Sequence, residues 1–285
     1  MENKFILDKT SFRQRVEQLS SLPTLPNLLK KFNKMISNPN VSMEAFGKEL
    51  GKDQALTSKL LKLVNSSFYG FPGRISTITH ALVLLGNDAL KGLIITSNIF
   101  ENISPEAYPL WRHSIAVSLA SRAIARELSL PDIEEFAVAG LLHDIGKVIL
   151  YIEAPEEYRT VINHSHTTEH PIWQAETEML GFDHATIGLW ICEDWTLPAK
   201  LAFPIGYHHK PSRSKEHTIR VAVVALSDIL VRGMGGGAEN DLPIEVTDPI
   251  LEEQVPLTLE QLHKLVEEIE PEIDSLQDLI PKDMK

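Results

Sequence analysis

The chain reads as an all-α protein, and two observations carry that reading. Apolar residues recur three and four apart along nearly its whole length, the spacing of one face of a helix. Patterns that alternate residue by residue, as a half-buried strand requires, are short and scattered. Ser42 ahead of Met43-Glu44-Ala45 is an N-cap for the first readable helix start. Leu56, Leu60, Leu61, Leu63 and Val64 then form one apolar stripe. Asn65 and Ser66 end that helix by competing for backbone hydrogen bonds. Phe68 and Tyr69 are read as docking the following turn into a core, with a partner-binding surface as the alternative.

The stretch 102–109 carries two prolines, Pro105 and Pro109, and marks a junction between two helical halves. Beyond it, Ile115, Leu119, Ala123 and Ile124 form a second stripe. Asp132 with Glu135 reads as a capping pair for the next helix, and Pro198 as a first helical position. Val221, Ala222, Ala225, Leu226, Ile229 and Leu230 form a third stripe, and Gly233–Gly237 reads as a flexible connector. Thr258 with Gln261 opens a last helix that is expected to run to about Glu268 and to break or kink at Pro271. The expected organisation is a helical bundle over 1–104, a second over 105–232, and a loop with a helical extension over 233–285.

The chain has 285 residues and a net charge of −12, with hydrophobic residues at 43%. That composition is globular, and the negative charge disfavours phosphate-backbone binding as the main activity, so no nucleic-acid partner is expected. A single cysteine, Cys192, excludes an intramolecular disulfide. Its acidic neighbours Glu193 and Asp194 are expected to raise the thiol pKa and argue against a nucleophile. The N-terminus has no secretory pattern, and apolar stretches such as Ala222–Leu226 fall short of a membrane span. The expectation is a cytoplasmic protein with no membrane partner.

His143 and Asp144 sit side by side at the end of an apolar run and are followed by Ile-Gly-Lys147. A buried carboxylate beside an imidazole is costly unless something pairs it, and a divalent metal pairs both. His113, His184, His208, His209 and Asp228 are further candidate ligands in apolar helical segments. Each has a plainer reading. The dyad could pair with itself and a backbone group, Asp228 with an arginine, and His184 could cap a helix near Asp183. His208 and His209 would point about 100° apart on a helix, so one of them could lie outside the ligand shell. Lys147 could be a C-terminal helix charge. His164, His166 and His170 lie in a polar stretch that reads as a surface loop.

Leu22-Pro-Thr-Leu-Pro26, Asn65-Ser-Ser-Phe-Tyr-Gly70 and His80-Ala-Leu-Val-Leu-Leu-Gly86 resemble the first half of an HDOD domain. Trp111-Arg-His-Ser114, Gly140-Leu-Leu-His-Asp-Ile-Gly-Lys147, Gly181-Phe-Asp-His184 and His208-His209 resemble its second half. HDOD is a bacterial signalling module related to HD phosphohydrolases, and the resemblance covers about residues 14 to 232. It implies two helical bundles, the second of HD type. It also implies a regulatory role through a signalling protein partner or a small phosphorylated ligand. By resemblance to HD-type enzymes, His113, His143, Asp144 and Asp228 would hold one metal. Asp144 would bridge to a second held by His184, His208 and His209. The metal would be Fe, Mn, Ni, Zn or Mg. Asp144 and Lys147 would be the catalytic pair if the alternative, a metal-dependent phosphohydrolase, holds, with Lys147 neutralising a phosphate.

Three departures from the family pattern stand out. Gln54 follows Asp53 where a proline is usual. Pro204 lies within the helix leading to His208, where it should bend or shorten that helix. Lys210-Pro-Ser-Arg-Ser214 stands where cyclic di-GMP phosphodiesterases of the HD-GYP type carry Gly-Tyr-Pro, so that activity is not expected.

Overall fold

A computed structural model describes residues 6–18, 25–36, 38, 42–51, 57–58, 60–61, 64–65, 75–99, 107–235 and 248–275. These are helical with no strand among them. The first helices are α1 (Lys9–Gln18), α2 (Leu25–Ile36), α3 (Met43–Leu50) and α4 (Ile78–Ile99). Then come α5 (Tyr108–Glu127), α6 (Ile133–Leu142), α7 (Ile145–Glu153), α8 (Pro155–Thr168), α9 (Ile172–Leu180) and α10 (His184–Asp194). α11 (Ala199–Tyr207), α12 (Thr218–Gly233), α13 (Ile250–Gln254) and α14 (Leu259–Ser275) complete the set among the described residues.

Burial follows the stripes. Ile115, Leu119, Ala123 and Ile124 face the core from α5, as do Val221, Ala222 and Ala225 from α12. α5 is the central helix, packed by α6, α12 and α14. α11 lies against α6, α10 and α12. The buried apolar residues form one continuous core from Leu7 to Ile273. α4 contributes Leu90, Leu93, Ile94 and Ile95 to it and packs on α6, while Phe12 of α1 stacks on Phe182 just before α10.

Several local expectations hold. Ser42 Oγ accepts from Ala45 N at 3.1 Å. Thr258 and Gln261 cap α14 reciprocally, with Gln261 N donating to Thr258 Oγ1 and Thr258 N to Gln261 Oε1. Asn65 ends its helix and binds Ile75 twice, through Oδ1 to the amide and Nδ2 to the carbonyl.

Others are corrected. Asp132 occupies an N-cap position but makes no side-chain cap, and its φ is 56°. Glu135 instead pairs with Lys200 and Arg220. Pro198 is the N-cap of α11 rather than its first residue. α14 runs through Pro271 because Leu265, Ile269 and Ile273 continue one buried face four residues apart, and that burial outweighs the lost hydrogen bond. Pro204 lies inside α11, which stops three residues later at Tyr207, before His208. His164 and His166 lie on α8 rather than in a loop, and His164 and His170 both pair with Glu178. Asp53-Gln54, Phe68-Tyr69, Pro105 and Gly236-Gly237 lie outside the described residues.

Among the described residues one helix segment, Ile78–Thr96, is long and apolar enough to cross a membrane, which the sequence reading did not foresee. Of its most apolar window, 61% is buried against the rest of the chain. Gly86 also interrupts it with φ 81° and ψ 171°, a conformation open only to glycine. It is two core segments meeting at a bend.

Candidate metal centre

His113 comes from the second turn of α5, whose first turn carries a tolerated proline, Pro109. His143 and Asp144 form the corner between α6 and α7. His184 is the first residue of α10, His208 ends α11, His209 follows it, and Asp228 lies in α12. All seven converge. They form two groups, His113 with His143 and Asp228, and Asp144 with His184, His208 and His209. Every one is buried except His209, which is half-buried.

Asp144 lies between the groups. Its Oδ2 is 3.3 Å from His143 Nε2 and 3.7 Å from His113 Nε2. Its Oδ1 is 3.2 Å from His184 Nε2 and 3.6 Å from His208 Nε2. Asp228 Oδ1 completes the first group, 3.1 Å from His113 Nε2. His209 Nε2 completes the second, 2.9 Å from His184 Nε2.

These residues fit a metal pair. Two ligand atoms each about 2.0–2.2 Å from one ion sit about 3 to 3.5 Å apart, close to the separations found. The tautomers also agree. His143 Nδ1 donates to Gly140 O at 2.7 Å, and His208 Nδ1 to Ile205 O at 2.9 Å. His184 Nδ1 donates to Glu176 Oε2 at 2.7 Å. Each imidazole therefore turns its Nε2 toward the shared centre. His143 Nε2 and Asp144 Oδ1 are buried without a hydrogen bond. A cation in the centre would satisfy both.

The electrostatics point the same way. Burial pushes the Asp144 carboxyl up, but His143 and Lys147 outweigh it and hold the group well below the usual carboxylate range. Asp228 is likewise held low, burial being overcome chiefly by Arg232. Burial lowers His208 and His209, so their imidazoles favour the neutral, ligating form. Burial also opposes charge on His184, but Glu176 and Asp144 raise it to about 10.

The plainer readings resolve residue by residue. His184 does not cap α10, because Asp183 does, accepting from Thr186 N at 2.8 Å. Asp228 has both partners at once, Arg232 Nη2 at 3.0 Å on Oδ2 and His113 on Oδ1. His208 and His209 both reach the centre even though His208 keeps helical φ and ψ of −60° and −27°, because their rings turn toward each other with centroids 4.1 Å apart. Lys147 lies in the first turn of α7, not at a C-terminus, and its Nζ is 2.9 Å from Asp144 Oδ2. Cys192 is pushed up to about 12 by burial rather than by its acidic neighbours, and is not among the converging residues.

Three contributors escaped the sequence reading. Arg232 was legible as the i+4 partner of Asp228. Glu176 is fully buried between Ile172 and Leu180, an acid on the apolar face of α9, and that was its signal. Its carboxylate accepts from Tyr158 Oη at 3.2 Å and from both the ring and the amide of His184. Gly146 gives the closest approach, since a Cβ there would lie 1.9 Å from His184 O. Glu176→Gln should weaken metal binding about 10- to 100-fold at one of two sites, because the amide can no longer fix the His184 tautomer as a charged acceptor. Titration with Mn²⁺ after chelation measures this, and two unchanged affinities would refute it.

The HDOD domain family model matches residues 22–211, two thirds of the chain. The chain belongs to the HDOD family. Among solved structures, an HDOD domain protein of unknown function from Geobacter sulfurreducens superposes with TM-score 0.69 at 24% identity, over 95% of this chain and 98% of that one. A putative signal transduction protein from Marinobacter aquaeolei VT8 gives 0.72 at 20%, over 98% and 67%. A putative phosphohydrolase from Shewanella amazonensis SB2B gives 0.65 at 20%, over 90% and 92%. At these identities the likeness shows the shared all-α fold. An uncharacterized protein of Treponema pallidum (strain Nichols) is 25% identical over 225 residues. That match takes in 77% of this HDOD chain and 44% of the relative, so the chain spans under half the relative's length.

Proposed function

We propose that this HDOD protein is a signalling component whose HD-like half holds two divalent metals and uses them to bind a small phosphorylated ligand. The helices before residue 105 would present the result to a protein partner. The observation that carries the reading is Asp144, with one oxygen toward each histidine group. Lys147 and Arg232 support it as cations beside Asp144 and Asp228. They border an opening that is also lined by Pro171, Ile172, Trp173 and His209. Its free volume is about 10 Å³, room for about one water. An opening of that size would have to widen to admit a phosphoryl group. Elemental analysis of untagged protein purified without chelator tests the reading. Two metals per chain, with inorganic phosphate binding that chelation abolishes, would support it. A chain that takes up no divalent metal would end it.

The complete set of seven ligand residues favours a second reading, a metal-dependent phosphohydrolase. Bound metals would polarise a phosphoryl oxygen and activate a water. Asp144 would hold both sites in register, and Lys147 would neutralise a phosphate oxygen. Under either reading cyclic di-GMP should not be linearised at a useful rate. Lys210 sits over the Trp173 ring at 4.1 Å, and Pro211–Arg213 form a short 3-10 turn beside the opening where a Gly-Tyr-Pro segment would be needed. Assays with Mn²⁺ and Fe²⁺ under reducing conditions check this. Robust linear product, abolished in Asp144→Ala, would refute it.

A further inference from the structure

α10 and α11 form a hairpin with His184 at one end of the first arm and His208-His209 at the end of the second. The arms are in close contact. A Cβ on Gly188 would lie 2.4 Å from Ile205 Cγ2, and one on Gly206 would lie 2.4 Å from Leu189 Cδ2. The hairpin turn, Trp195–Pro198, lies about 15 Å from the metal ligands, ten residues at 1.5 Å each along α10. Side chains from α1, α2 and α4 converge on it.

Lys91 of α4 is 3% exposed, and its Nζ donates to Thr196 O at 2.5 Å and to Asn33 Oδ1 at 2.7 Å. Asn33 Nδ2 donates in turn to Trp195 O at 3.4 Å. Arg13 of α1 makes a two-pronged contact with Asp194, at 2.6 and 2.7 Å. Asp88 of α4 pairs with Lys200 in the first turn of α11 at 2.8 Å. Thr196 itself has φ 53°, a left-handed conformation unfavourable for a β-branched residue. It ends α10 where glycine is usual, with Leu197 N bonded to Cys192 O and Thr196 N to Glu193 O. Such strain persists where the surroundings over-determine it. Burial lowers the Lys91 pKa to about 8, so this contact sets an amine in an environment that resists its charge.

We propose that Lys91 is a positioning residue for the His184, His208 and His209 group, acting through the α10–α11 hairpin whose turn it holds. The inference rests on the dinuclear reading and assigns regulation of one half of that site to the N-terminal helices. The hairpin carries three of the second group's four ligand residues and none of the first group's. Loosening the turn should therefore act on one metal and spare the other. General destabilisation would act on both.

The test uses the full chain, wild type and Lys91→Met, with Arg13→Ala as a milder surface variant in case the first does not fold. Mn²⁺ titration after chelation should show one equivalent bound as in wild type and the other weakened by on the order of tenfold. Hydrogen exchange of the metal-free proteins should be faster across residues 184–210 and unchanged around His113. Arg13→Ala should show the same pattern, weaker. Two equivalents of unchanged affinity, or two weakened alike, would overturn the proposal. If wild type binds no metal, the dinuclear reading falls. The hairpin link is then judged by exchange alone, and unchanged rates across 184–210 in both variants would overturn it.

Discussion

Asp144→Asn should remove both metals and destabilise the metal-free protein. The carboxylate places one oxygen beside each histidine group, so a neutral amide weakens both sites at once, each by more than about 100-fold. The same change removes the carboxylate charge 2.9 Å from the Lys147 ammonium, which is 4% exposed. Breaking a buried ion pair from one side costs about 3–5 kcal/mol. Urea unfolding of chelated protein measures that loss, and elemental analysis measures the metals. A variant that retained one metal at wild-type affinity would show that Asp144 does not bridge. An unchanged urea midpoint would show that Lys147 finds another acceptor.

Gly146→Ala should be nearly as damaging, by a different route. The new methyl would meet the His184 carbonyl at 1.9 Å, and a backbone atom cannot swing aside as a flexible side chain can. α7 and α10 must separate, at about 1–3 kcal/mol for overpacking. Asp144 is carried on one side of that contact and His184 on the other, so their 3.2 Å approach should widen. The expected result is a folded protein with a lower melting temperature and one metal per chain. Two metals at wild-type affinity would show that the corner between α6 and α7 yields without disturbing the site.

Much of this was legible without coordinates. The helical stripes of α5 and α12 follow from 3.6-residue periodicity, which depends only on local geometry. Ser42 and the Thr258–Gln261 pair could be read because a cap is settled within three residues. The seven candidate ligand residues were visible as polar side chains on apolar segments, where each needs a partner. Pro271 misled because a proline's local cost was weighed without the burial that continues past it. The histidines near 164 misled because a polar composition does not exclude an exposed helix.

The sequence by itself determined that the chain is all-α and offered its buried imidazoles and carboxylates as candidates for one centre, since periodicity and desolvation are properties of the chain. Which residues share a centre was decided by tertiary structure. So were the approach of His209 to His184, the burial of Glu176 against His184, and the grip of Lys91 on the Thr196 carbonyl. Those contacts join residues 8 to 105 positions apart. Only the packing of whole helices, set by the volume of every side chain between them, brings such residues within 3 Å of each other.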